Sequence, residues 1–164
     1  MFSPSRDLTG FWPAKFQVEL VKNLSGLNGY AQSLDYNSDG FMTSQYCVVS
    51  VEDDLGIYQI IRASLQQLPI ELHHAANGRD AIALIGRSQP ALVILDISLP
   101  DMNGWDVLQS MSKLEIQKPK VLVLTAFTNP THRLIGHLQN VAYMNKPFLP
   151  RELSAMVSEI LEIS

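Results

Sequence analysis

Several polar residues stand at or just past the ends of apolar runs, and their types can do chemistry together. Glu52-Asp53-Asp54 follows Cys47-Val-Val-Ser-Val51, Asp96 closes Ala91-Leu-Val-Ile-Leu95, Thr125 closes Val121-Leu-Val-Leu124, and Lys146 lies just beyond Val141–Met144. If Glu52, Asp53 and Asp96 converge within about 5 Å, each ionised pair repels by roughly 3 kcal/mol at an effective dielectric near 20. Such a cluster must bind protons or a cation. Hard carboxylate oxygens, with positions left for water and a phosphoryl group, favour Mg2+. Lys146 would supply a compact counter-charge for a carboxylate or a phosphoryl group, and Thr125 a hydroxyl donor. Plainer readings exist for each residue. The 52–54 triplet could cap a helix at its positive end, Lys146 could be a surface lysine, and Thr125 a β-former at a strand end. A cap does not explain Asp96, an acid that closes a wholly apolar strand.

Bringing these residues together requires a sheet whose strands all point the same way. After residue 46, short apolar runs alternate with helical periods. The runs at 47–51, 70–74, 91–95, 121–124 and 141–144 read as strands. Helical sets follow at Ile57, Ile60, Ile61, Leu65 and Leu68, at about Arg79–Ile85, at Val107, Leu108 and Met111 after Gly104, around Thr131–Leu138, and at Leu153, Met156, Val157, Ile160 and Leu161. Five β-α units in succession predict an α/β domain with a doubly wound parallel sheet. Right-handed crossovers leave few windings, among them the flavodoxin-like (βα)5 order 2-1-3-4-5. Its crevice lies outside the carboxyl ends of the first and third strands. Glu52, Asp53 and Asp96 are expected at that edge.

The chain has 164 residues, 46% of them apolar and 17% charged, which excludes a disordered chain. No apolar run approaches the roughly 18 residues of a membrane span. The net charge of −4 gives no electrostatic footprint for nucleic acid. One cysteine, Cys47, excludes an internal disulfide framework and fits a reducing compartment. The segment Met1–Arg6 lacks the pattern of a secretory signal, so a cytoplasmic location is expected. Residues 1–46 are rich in Gly, Asn, Ser and Asp and read as an extension, partly helical (16–24) or flexible, with a turn at Asn37–Gly40. Residues 47–164 read as the domain proper.

At these residues the chain resembles the receiver domains of response regulators in two-component signalling. The resemblance covers about residues 47–163 and rests on Val-Val-Ser-Val-Glu-Asp-Asp (48–54), Leu-Val-Ile-Leu-Asp-Ile-Ser-Leu-Pro-Asp-Met-Asn-Gly (92–104), Val-Leu-Thr-Ala (123–126) and Tyr-Met-Asn-Lys-Pro-Phe (143–148). It implies that Asp96 is the nucleophile that takes a phosphoryl group from a phosphohistidine. Glu52 and Asp53 would hold Mg2+, Asp53 directly and Glu52 through water, with the backbone carbonyl of Ser98 completing the protein ligands. Lys146 would pair with Asp96 and then with the phosphoryl oxygens. Thr125 would bond the phosphoryl group, and Tyr143 would be the aromatic whose rotamer follows. The Lys146–Pro147 bond is expected to be cis, and Pro100 and Gly104 match the turn after the phosphoacceptor.

The resemblance also implies partners: a histidine kinase or histidine phosphotransfer protein upstream, reached by the exposed face beside Ile57, Ile60 and Ile61, and a protein target downstream. A homodimer through the last helices and the fifth strand is a further expectation. The chain ends with its own last helix at Ser164, so its output is expected through another protein or through the extension, and Met1 favours a free-standing chain over the end of a hybrid kinase. A signalling domain that catalyses its own phosphorylation and dephosphorylation is expected, rather than an enzyme acting on a separate substrate. Two other readings remain: an interaction module that is not phosphorylated, and an aspartate-nucleophile phosphatase of the haloacid-dehalogenase type. In the latter the acid pair follows the lysine, whereas here it precedes the nucleophile.

Smaller features complete the sequence. Ser98 and Phe127 flank the expected path of attacking water, and the bulk of Phe127 is expected to slow loss of the phosphoryl group. Asp35–Gly40 matches the opening of a calcium loop, but Tyr46 stands where its bidentate Glu belongs. His73 and His74 are expected at the exposed end of the second strand, away from the acids. His132 and His137 are badly spaced for one metal, and Trp105 reads as packing.

Overall fold

The computed structural model describes the backbone of residues 32–36, 42–126 and 141–163, and side chains for 45–126 and 141–163. The expected helices at 16–24 and 131–138, the turn at 37–40, and Phe127, His132 and His137 lie outside the described residues. In chain order the elements are β1 (Gln32–Tyr36), β2 (Met42–Val51), α1 (Leu55–Leu65), β3 (Ile70–Ala75), α2 (Gly78–Ser88), β4 (Leu92–Asp96), α3 (Gly104–Ser112), β5 (Lys120–Thr125), β6 (Ala142–Asn145) and α4 (Pro150–Leu161).

Strands β2 to β6 are parallel and lie in the order β3-β2-β4-β5-β6. With the strands of the β-α units numbered from β2, that is 2-1-3-4-5, the order expected from the sequence. β1 lies outside that reading. It pairs antiparallel with the first half of β2, from Gln32 opposite Tyr46 to Tyr36 opposite Met42. With β1 to bond to, β2 begins at Met42, five residues before the expected Cys47, so the change of composition near residue 46 falls inside a strand.

β4 is buried along its whole length because helices cover both faces of the sheet. Alternate side chains feed two cores. Val48, Leu92, Ile94, Leu122 and Leu124 face Ile61 of α1 and Leu153 and Val157 of α4. Val49, Val51, Val93 and Leu95 face Ala81 and Ile85 of α2 and Val107 and Met111 of α3. Each fully buried side chain contributes roughly 1.5–3 kcal/mol by transfer from water, and the pairing Val48–Leu92 to Val51–Leu95 fixes which side chains face which helix.

The helices start where polar side chains meet their unpaired N–H groups. Asp54 accepts from the Ile57 N–H at 3.0 Å, Asn77 from Asp80 at 2.8 Å, and Asn103 from Trp105 at 2.9 Å. α2 runs three residues past the expected Ile85 and ends on Gln89, whose φ of 45° breaks the helical path.

Candidate functional site

The carboxyl ends of β2, β4, β5 and β6 bring the expected residues to one edge of the sheet. Glu52 leaves β2 and is 1% exposed, Asp96 ends β4 and is 7% exposed, and Thr125 ends β5 and is 5% exposed. Asp53 is exposed beside them. Carboxylate oxygens of Glu52, Asp53 and Asp96 all lie within 4.8 Å of one another. The acidic triplet therefore divides: Asp54 is the helix cap, while Glu52 and Asp53 belong to the cluster.

Lys146 follows β6, and its backbone N–H donates to the Thr125 carbonyl at 2.9 Å, which carries its side chain inward. Its Nζ donates to Glu52 Oε2 at 2.6 Å and to Asp96 Oδ2 at 2.7 Å. The other Asp96 oxygen, Oδ1, accepts from the Ser98 N–H at 3.0 Å. The Asp96 carboxylate is thus fixed in plane by a donor on each oxygen. The Lys146–Pro147 peptide is cis, as the resemblance implies.

Electrostatics at the site follow from crowding and burial. Burial pushes the Glu52 carboxyl above the usual carboxylate range, and the hydrogen bond from Lys146 offsets this only in part. For Lys146, burial opposes the charge, but its hydrogen bonds to Asp96 and Glu52 outweigh it and raise the ammonium above its ordinary value. Three acids against one lysine leave a deficit of positive charge that hard oxygen donors can correct by holding a divalent cation. The donor set fits Mg2+ in type and number.

Gly104 is required by backbone proximity. A Cβ there would lie 2.7 Å from the Asp96 carbonyl oxygen and 2.8 Å from Ile97 Cα, neither of which can swing aside. This lets α3 start directly against the end of β4. Ser98 and Asn103 form an isolated bridge that closes the loop between them. Tyr143, on β6 opposite Val123, is half-buried, and its ring lies 6.4 Å from that of Trp105 at a tilt of 43°. Trp105 packs on the second core, as read from the sequence.

Two contacts near the site escaped the sequence reading. His73 and His74 are half-buried rather than exposed, and His74 is not remote from the acids. Its Nε2 lies 2.7 Å from the Glu52 carbonyl oxygen. The parallel register explains this correction: Ala75 pairs with Val51, so β3 ends level with the start of the acidic turn. Asp101 is the second. Its carboxylate accepts from the Gly78 and Arg79 N–H groups at 2.8 and 3.0 Å, tying the loop after Asp96 to the start of α2. These bonds hold its carboxyl below the usual carboxylate range, led by the one from Gly78. An acid after Pro100 facing an Asn-Gly helix start was the available signal.

Residues 48–158 match the response regulator receiver domain family. The chain belongs to this family. This receiver domain is 30% identical over 118 residues to the alkaline phosphatase synthesis transcriptional regulatory protein PhoP of Bacillus subtilis, a match covering 71% of this chain and 49% of that protein. It is 32% identical over 115 residues to the transcriptional regulatory protein SrrA of Staphylococcus aureus, covering 70% and 47%. It therefore spans about half the length of the curated relatives it matches. Among solved structures, a CheY-like response regulator receiver domain protein from Methanospirillum hungatei superposes with a TM-score of 0.67 at 28% identity, covering 73% of this chain and 95% of that one.

Proposed function

We propose that this receiver domain accepts a phosphoryl group on Asp96 from the phosphohistidine of a histidine kinase or histidine phosphotransfer protein. The observation that carries the reading is the Lys146 ammonium bonded to both Glu52 and Asp96, two members of a cluster of three carboxylates. In the transfer an Asp96 oxygen forms the new O–P bond as the P–N bond to imidazole breaks, and the released imidazole takes its proton from solvent. Mg2+, held by Glu52, Asp53, Asp96 and the Ser98 carbonyl, would neutralise charge on the phosphoryl oxygens when bound.

The residues of the chain do the rest. The Ser98 N–H and Lys146 orient the Asp96 carboxylate before the donor arrives. Lys146 then follows the added charge onto a phosphoryl oxygen. Thr125, at the end of the neighbouring strand, donates its hydroxyl to another, and the space it leaves is taken up by the Tyr143 ring. The output is a changed surface on β6 and α4, read by a downstream protein or by a second copy of this chain. A cytoplasmic location goes with this reading and keeps the buried Cys47 a thiol.

The non-phosphorylated module is disfavoured because it gives no role to a lysine bonded to two buried acids. Acetyl phosphate with Mg2+ should retard the chain on a Phos-tag gel. Retardation should disappear on chelation and in Asp96→Asn. A retarded Asp96→Asn chain would move the acceptor elsewhere and overturn the reading.

A further inference from the structure

Glu52 leaves the sheet with both of its backbone groups held by β3. Its N–H donates to the Ala75 carbonyl at 3.0 Å, and its carbonyl accepts from His74 Nε2–H at 2.7 Å. A carbonyl can only accept, so the imidazole carries its proton on Nε2. The ring lies flat against Tyr58, with centroids 3.8 Å apart and planes 11° from parallel. Tyr58 is in the first turn of α1, where its N–H donates to the Asp54 carbonyl at 2.9 Å. The contacts form a closed circuit, from Glu52 through His74 and Tyr58 to Asp54, and it encloses the residue between, Asp53.

We infer that His74 is a positioning residue for the cation site, an inference that rests on the cation reading above. The Glu52 carbonyl and the Asp53 N–H belong to one rigid peptide plane. Fixing that carbonyl fixes the plane and so the position of the Asp53 Cα, and with the Asp54 carbonyl held by the Tyr58 N–H it narrows the φ and ψ through which the Asp53 side chain leaves the backbone. Asp53 is the exposed member of the three acids, so packing alone restrains it least. A carboxylate already aimed at the pocket loses less freedom when a cation binds. His74 is held in turn by the Tyr58 face, which keeps the imidazole from swinging into solvent.

The test compares three substitutions in the full chain by Mn2+ uptake, followed by the paramagnetic resonance signal of free Mn2+, alongside the melting temperature. Removing partners of this kind weakens metal affinity by roughly 10–100-fold, and the backbone contact here puts the expected loss in His74→Leu near the lower figure. His74→Gln places an amide nitrogen where Nε2 stands and should recover most of that loss. His74→Asn keeps an amide that is too short to reach and should behave as the Leu chain does. A merely structural role would lower the melting temperature of all three and leave affinity below the transition unchanged. Parental affinity in His74→Leu and His74→Asn, or equal weakening in all three, overturns the inference. Failure of the parent chain to take up Mn2+ would instead overturn the cation reading, and the inference with it.

Discussion

Lys146 answers to two buried carboxylates at once, and what its removal does follows from that. Lys146→Ala leaves Glu52, 1% exposed at its side chain, beside Asp96 with no ammonium between them. Breaking a buried ion pair from one side costs several kcal/mol; because Asp53 opens the pocket to water, we expect about 3 kcal/mol, read by urea unfolding in metal-free buffer at neutral pH. Glu52 gives the pH dependence. Its folded pKa lies above its unfolded one, so between the two the folded chain binds more protons. Its contribution to stability is complete below the ordinary carboxylate range and is lost as pH rises through the raised value. Metal-free melting temperatures should fall over that interval, and Glu52→Gln should flatten the fall. Lys146, also raised, adds a loss only in the alkaline range above the ordinary lysine value. Much of this was legible in the sequence, since an acid or a lysine at the end of an apolar strand has its place set by the strand. His74 was not legible: alternation gives the face a side chain takes, but only the register with β2 gives what it reaches.

Among the described residues, the strands and helices of the β-α units were readable to within a few residues because their strands are short and largely apolar and their helices carry an apolar stripe. Ends moved where a partner or a cap decided them: β2 gained residues from β1, and α2 ran on to Ser88 before Gln89 turned out of it. The start of α3 shows how an element positions chemistry. Gly104 brings α3 against the Asp96 carbonyl, and the Ser98–Asn103 bridge closes the loop that also presents the Ser98 N–H to Asp96. Gly104→Ala sets a methyl group 2.7 Å from that carbonyl, so α3 or the end of β4 must shift. Overpacking against backbone of this kind costs about 1–3 kcal/mol. Urea unfolding should report that loss, and unchanged stability would mean that the junction yields more easily than its contacts imply.

At the scale of the molecule, a parallel sheet covered on both faces leaves its carboxyl edge as the place where polar groups from four strands can meet. Strand order is what turns residues 94 positions apart, Glu52 and Lys146, into neighbours 2.6 Å apart. The order was legible because a succession of β-α units has few right-handed windings. β1 was not, because its pairing depends on a partner strand rather than on its own pattern. The central claim is covalent capture of one phosphoryl group by one aspartate, and intact-mass measurement of the whole chain after acetyl phosphate and Mg2+ tests it most directly. The account predicts a gain of a single phosphoryl group that is absent from Asp96→Asn and reduced in Lys146→Ala. No gain in the parent chain, or the same gain in Asp96→Asn, would contradict it.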